Sequence, residues 1–336
     1  MIRFLTSLVV ILLASNAFAW GRRGHAIVCE TAASLLSDRA AFLKKHSFDL
    51  GYYCNVPDLV WKKPATYEIE APQHFMDLEI FEREFAKEKH SGDPFALSRA
   101  EFEKAYPSIP VSAGRSYWRI RELTDRLHET AKHLHASRSA KEQSADQETW
   151  LVTAGVLGHY VGDLSQPLHV TEDYDGQMEE GQKGIHSWFE DQAIDELSST
   201  TRPGKLESDV GSLAKLKWKT YSAKSAKLST LELIEAEAKE SNHDRTELMK
   251  IDKRVGRKSI SKAAYAFEPL LKDRLAAGAL VLAEIWSREL DWKYNGEKFY
   301  NFNGTPDYIA PEKGAANSQS TPPAAVTSPA GSTPKP

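Results

Sequence analysis

The chain is poor in the residues that would mark several common kinds of protein. It has two cysteines, Cys29 and Cys54, in 336 residues. That is too few for a disulfide-stapled scaffold, and two thiols alone cannot build a zinc site. In an oxidising compartment the pair reads most simply as one disulfide. Positive charge is not in excess either: 43 Lys and Arg stand against 47 Asp and Glu, a formal net charge of −4. A protein that held nucleic acid through a basic surface would be strongly positive. Any attraction for phosphate must therefore be local. No apolar run reaches the roughly 20 residues of a membrane span, and the nearest, Leu5 to Ala14, is too short. Period-2 alternation and internal repeats are also absent.

What is present begins with an export pattern. Arg3 precedes the apolar run, and Ala17-Phe18-Ala19 fits a cleavage site, so residues 1–19 read as a signal peptide. The expected mature protein starts at Trp20 and is periplasmic or secreted, with no stable membrane span. Helical spacing appears over 24–36, 115–136, 148–164, 184–197 and 267–290. In the last of these Leu271, Leu275, Leu282, Ile285 and Trp286 share one face. These patterns predict an all-α fold, one helical domain over 20–300 with long connections. The Pro-, Ser-, Thr- and Ala-rich stretch 301–336 is expected to be a disordered tail, because it has too little apolar surface to offset its ordering entropy. Asn303-Gly304-Thr305 matches a glycosylation sequon, which matters only on a eukaryotic secretory route.

The most informative stretch is HYVGDLSQPLHV, residues 159–170. His159 and Asp163 lie four apart on a predicted helix and so face the same side. Pro167 ends that helix, and His169 can turn back toward the same point. Imidazole and carboxylate converging at a helix end suit a divalent metal such as zinc. A second i, i+4 pair, His186 and Glu190, follows in GIHSWFEDQ. Asp191, one position further, would point about 100° away on an α-helix, which favours Glu190. Upstream stand His74 in APQHFMDLEI, Asp58 in CNVPDLVW, and Trp20 and His25 in WGRRGH. Taken singly, each has a plainer reading: a surface pair, a core histidine, a turn-opening acid. His46, His90, His128, His133, His135 and His243 lack a completing carboxylate–histidine partner and are set aside.

The order WGxxGH, Asp, HFxD, HxxGDxxQPLH and HxxxE resembles that of the zinc-dependent single-strand nucleases of the fungal S-one and P-one type. Those share a superfamily with bacterial zinc phospholipases C. The resemblance implies an all-α fold of the phospholipase C/nuclease type around three Zn²⁺. Carried over residue by residue, one zinc takes Asp58, His74 and His159, with Asp163 able to bridge. A second takes His169, His186 and Glu190. The third takes the free α-amine and carbonyl oxygen of Trp20, with His25 and Asp163. Three divalent ions against three carboxylates leave a local positive excess, which is the phosphate attraction that composition lacks.

The expected activity is hydrolysis of phosphodiester bonds in single-stranded DNA or RNA, with 3′-nucleotides as a further substrate. Asp58 is expected to orient the attacking water or accept its proton. Phe75 and Asp77, in HFMD, match positions that in the family stack on a base and bond its edge. Lys62 and Lys63 follow Asp58 closely, but such a pair reads more simply as a solvated patch. Glu190 stands where the fungal nucleases have Asp and the phospholipases C have Glu. Two other readings follow: a phospholipase C acting on lipid head groups, and a non-catalytic exported zinc protein. No obligatory protein partner is implied.

Overall fold

The helix built on the HYVGD stretch lies at the centre of the structure, a computed structural model that describes residues 20–36, 40–87, 92–136, 139–179, 181–199, 203–292 and 305–314. In chain order the helices begin with α1 (Gly21–Leu35), α2 (Ala41–Lys45), α3 (Ser47–Tyr53), α4 (Tyr67–Glu70) and α5 (Leu78–Lys87). Next come α6 (Arg99–Ala105), α7 (Ser116–His135), α8 (Ala140–Ser165), α9 (Ile185–Ser187) and α10 (Ala193–Leu197). The long helices α11 (Lys205–Ser225), α12 (Thr230–Val255) and α13 (Ile260–Glu289) complete the order. Among the described residues there is no strand, and Met76 and Gly114 form an isolated bridge. The expected all-α class holds. No helix among them is long and apolar enough to cross a membrane.

Every residue from Trp150 to Ser165 of α8 is buried. A helix buried on all faces is a core helix, and α1, α3, α7, α12 and α13 pack around it. Its polar first turns extend it to Ala140, where Ser139 and Glu142 form a reciprocal capping box. The approach of α1 and α3 needs space on α8, which its glycines supply. A Cβ on Gly158 would stand 2.2 Å from Cys29 Sγ. One on Gly162 would stand 3.0 Å from His25 Nδ1, and one on Gly155 would stand 2.4 Å from Tyr53 Cβ. The close approach also brings Cys29 on α1 to Cys54, just after α3, and the two form the expected disulfide with Cα atoms 6.6 Å apart.

Three differences from the sequence expectation are informative. The helix expected over 267–290 begins seven residues earlier, at Ile260, and carries Pro269 inside it. An interior proline costs about 3 kcal/mol. Packing of the buried Phe267, Leu271 and Leu275 next to it offsets that cost. The long helices α11 and α12 have mostly polar surfaces, and their weak amphipathic signal left them unassigned. The Ser229–Glu232 capping box that opens α12 was the available cue. Finally, residues 305–314 belong to the stretch expected to be disordered, yet they lie as a non-helical strap against the domain. Pro306 is buried, and Tyr308 and Ile309 pack on the core. Two aromatic-aliphatic side chains and several backbone bonds fasten it, which composition averaged over 36 residues obscures. Residues 1–19, expected to be a signal peptide, and the tail beyond residue 314 lie outside the described residues, as does Asn303 of the sequon.

Candidate metal centre

The C-terminal turns of α8 deliver His159 and Asp163, both fully buried. Gln166 then leaves helical geometry and caps a short 3₁₀ turn, Pro167–His169. This returns His169 toward the helix end. The His169 Nδ1–H donates to the carbonyl of His74 at 2.6 Å, and the His169 carbonyl accepts from Met76 N–H at 2.8 Å. The HFMD segment is thereby fastened beside α8. Two more histidines are held in the same way: His159 Nδ1–H donates to Cys54 O at 2.7 Å and His186 Nδ1–H to Tyr174 O at 2.7 Å. A carbonyl only accepts, so the proton sits on Nδ1 and the Nε2 lone pair points inward. That is the tautomer a metal ligand needs.

Three groups of donor atoms result, each with its atoms within 4.8 Å of one another: His25, His159 and Asp163; Asp58, His74 and His159; and His169, His186 and Glu190. In the first, His25 Nε2 lies 3.3 Å from Asp163 Oδ1. In the second, His74 Nδ1 lies 3.6 Å from Asp58 Oδ1 and 2.9 Å from His159 Nε2. The other Asp163 oxygen reaches into this group, 3.1 Å from His74 Nδ1. In the third, His186 Nε2 stands 2.9 Å from Glu190 Oε2 and 3.0 Å from His169 Nε2. Ligands about 2.0–2.1 Å from zinc at tetrahedral angles sit roughly 3.3 Å apart, and these separations fall around that value. His25 Nε2, Asp163 Oδ1 and Glu190 Oε1 are buried with no hydrogen-bond partner. Buried polar atoms left unpaired are costly unless an ion serves them. The donor sets fit zinc.

Asp58 and Glu190 sit on π-helical turns, Pro57–Trp61 and Trp188–Gln192. Such turns are rare and concentrate at functional sites; the spacing of His186 and Glu190 implies α geometry for the second of them, and Asp58 reads from sequence only as opening a helix or turn. Glu190 still faces His186, while half-buried Asp191 is turned toward Gly21. Trp20 caps α1 with φ of 34°, a left-handed conformation that a bulky residue rarely adopts. Its indole holds it there, donating Nε1–H to Gly162 O at 2.7 Å and approaching Ser165 Oγ at 3.1 Å. The Trp20 carbonyl already accepts the Gly24 N–H at 3.0 Å, so one lone pair remains.

Protons and a cation compete for these atoms. Burial holds the His159 imidazole well below the usual histidine range, helped by His25 and His74 and opposed by Asp163. Burial alone would raise Asp163, but His159, His169, His25 and His74 together hold it well below the usual carboxylate range. Burial and Lys62 oppose a charge on His74, yet Asp163, Glu70 and Asp58 prevail and push it up to about 9. A neutral imidazole beside an ionised carboxylate is ready for metal; a charged one must release its proton first.

A cleft of about 340 Å³ opens on the centre, lined by His74, His169 and His186 together with Phe75, Asp77 and Lys62. Phe75 is half-buried and Asp77 is 9% exposed. Burial, then Glu79 and Glu172, raises the Asp77 carboxyl to about 7. Lys62, set aside from sequence as solvated, is instead largely buried, with Nζ 3.2 Å from Asp58 Oδ1; Lys63 is exposed. Tyr174 also lines this cleft and is 53% exposed. Sequence reasoning missed it, and missed Gln166 and Glu70, because supporting residues carry no spacing signature. Gln166 Nε2 donates to Glu190 Oε2 at 3.2 Å. The set-aside His128 and His135 lie on α7 and pair at the surface with Glu289 and Asp291. A larger cleft, about 530 Å³, lies on the other side of Glu190 beside Arg22, Phe48 and Tyr52. It holds no group of three donor atoms.

No curated protein matches the chain. The model of one family, described as S1/P1 Nuclease, matches residues 20–291, which include all nine candidate ligands, Phe75 and Asp77. A helical fold without strands among the described residues, three buried donor groups, two of them joined through His159 and Asp163, and a match over most of the chain agree: the chain belongs to the S1/P1 nuclease family.

Proposed function

We propose that the protein is an exported, zinc-dependent nuclease that hydrolyses phosphodiester bonds of single-stranded DNA and RNA, and also 3′-nucleotides. The observation that carries this reading is the placement of Phe75 and Asp77 in one cleft with His74, His169 and His186. A base stacked on Phe75 would set its phosphate against the two donor groups that His74, His169 and His186 bring to the cleft. Stacking on an aromatic ring contributes about 1–3 kcal/mol per base and tolerates sequence.

The ligand assignment is Asp58, His74 and His159 for one ion, His169, His186 and Glu190 for a second, and His25, Asp163 and the Trp20 terminus for the third. Zinc bound there supplies Lewis acidity, acidifying water toward a pKa of about 7 and offsetting phosphate charge. The chain's own residues do the rest. Asp58 keeps a carboxylate at the centre to orient the attacking water or take its proton, and Lys62 steadies that carboxylate. Asp77 meets the base edge, and Phe75 holds the ring. Asp163 offers one oxygen to each of two groups, so it fixes their spacing.

The test is to purify the chain from Trp20, count zinc, and follow release of acid-soluble nucleotides from single-stranded nucleic acid with and without chelator. Chelator-sensitive release is expected. Turnover of lecithin alone would move the assignment to a phospholipase C, the reading that Glu190 favours. Tight zinc without hydrolysis of any phosphodiester would make it a non-catalytic zinc protein.

A further inference from the structure

The strap 305–314 lies beyond the family match, which ends at residue 291, yet it touches the support of two candidate ligands. The Tyr308 hydroxyl donates to Glu70 Oε2 at 2.8 Å. Glu70, at the end of α4, is fully buried. Its other oxygen accepts from the Tyr160 hydroxyl and lies 3.5 Å from His74 Nε2. The opposite nitrogen of that ring, Nδ1, faces Asp58, His159 and Asp163. When Nδ1 serves as a ligand, the ring proton is on Nε2, a buried nitrogen with no hydrogen-bond partner, and the carboxylate oxygen beside it, at 3.5 Å, is that of Glu70. A carboxylate behind a ligating histidine fixes its tautomer and orientation and raises its basicity.

The strap has two further holds. The Pro306 carbonyl accepts from Trp61 Nε1–H at 3.3 Å, and the Trp61 and Tyr308 rings meet edge-on at 5.4 Å. Trp61 closes the π turn that carries Asp58. Arg119 lies over the Tyr160 ring at 5.1 Å and donates to the Ile309 carbonyl. The strap therefore bears on the elements carrying Asp58 and His74, and it supplies one of the two hydroxyls on the carboxylate behind His74.

We propose that the strap is an outer support of the metal centre, with Tyr308 positioning Glu70 and Glu70 positioning His74. Retention of zinc then depends on a segment outside the family match. Tyr308 and Glu70 are positioning residues: neither lines the cleft beside Phe75 and Asp77. This inference rests on reading the donor groups as zinc sites. Substitution of an outer partner of this kind weakens metal binding by about 10- to 100-fold.

The experiment uses the full chain from Trp20, loaded with zinc and challenged with a chromophoric chelator in the absence of nucleic acid. Tyr308→Phe keeps the ring and removes the hydroxyl. It should release one equivalent of zinc roughly tenfold faster than wild type, with the remaining zinc unchanged and kcat lowered more than KM is raised. Glu70→Gln should do at least as much. The double variant should be no worse than Glu70→Gln, because Tyr308 acts through Glu70. Asp307→Asn, exposed on the same strap, should match wild type. Wild-type release from Tyr308→Phe, or losses that multiply in the double variant, overturns the proposal. If Tyr308→Phe does not fold, Trp61→Phe removes the donor to Pro306 and is read by the same criterion. A wild-type protein that holds zinc but cleaves no strand would sink the nuclease reading and leave this one intact. A cleaving wild type whose Tyr308→Phe variant keeps its zinc does the reverse.

Discussion

Asp163→Asn is the substitution with the widest expected consequence. The side chain keeps its shape, stays buried, and loses its charge. Asp163 stands 3.3 Å from His25, 3.1 Å from His74 and 3.4 Å from His159, and belongs to one donor group while reaching into another. At an effective dielectric of about 20, a unit charge about 4 Å from a cation contributes roughly 4 kcal/mol per unit of cation charge. For Zn²⁺, with two units of charge, that is roughly 8 kcal/mol, or about six orders of magnitude in affinity at about 1.4 kcal/mol per tenfold. If relaxation and water entry leave only a quarter of it, about 2 kcal/mol, the loss is still about 30-fold at each of two groups. The amide also turns an acceptor into a donor that faces imidazole nitrogen. The variant should therefore retain about one zinc, at His169, His186 and Glu190, and lose nearly all hydrolysis of single-stranded nucleic acid. Metal analysis after gel filtration, with the nuclease assay in parallel, measures both. Full zinc content with an unchanged rate would refute the bridging assignment.

Three other outcomes are expected. One extra residue before Trp20 replaces the free α-amine by an amide, which should weaken one zinc and lower activity; an extended form with full zinc and rate, set beside the exact N-terminus by mass spectrometry, would exclude a role for the amine. Gly158→Ala places a Cβ 2.2 Å from Cys29 Sγ, so overpacking should destabilise the fold by about 1–3 kcal/mol and lower Tm in a thermal melt. Asp77, raised to about 7, penalises the folded state as pH rises from the unfolded carboxyl value through 7, because the unfolded chain ionises first. Asp77→Asn should therefore gain stability relative to wild type at pH 8 and lose that advantage by pH 4. In the assay, single-strand binding by the wild type should change near pH 7, and binding by the variant should not.

Much of the site was legible in the chain because ligand chemistry leaves a local trace. His159 and Asp163 are four apart on a helix, and Pro167 forces the turn that returns His169. The π turns under Asp58 and Glu190 were not legible, since they depend on how those segments meet α4 and α1 respectively rather than on their own spacing. Lys62 was misjudged for the same reason: whether a lysine is solvated depends on its neighbours, here Asp58 at 3.2 Å.

The sequence by itself determined the helical class, the disulfide pair and the His, Asp and Glu candidates that the fold gathers into three groups, because periodicity, cysteine count and side-chain chemistry are local properties. The tertiary structure alone decided how the donors share their work. It brought His25 against Asp163 across the space left by Gly162, joined two of the three groups through His159 and Asp163, and folded Tyr308 back onto Glu70. Those are contacts between residues 85 to 238 positions apart. No local pattern encodes them; they follow from how the helices pack around one buried core helix.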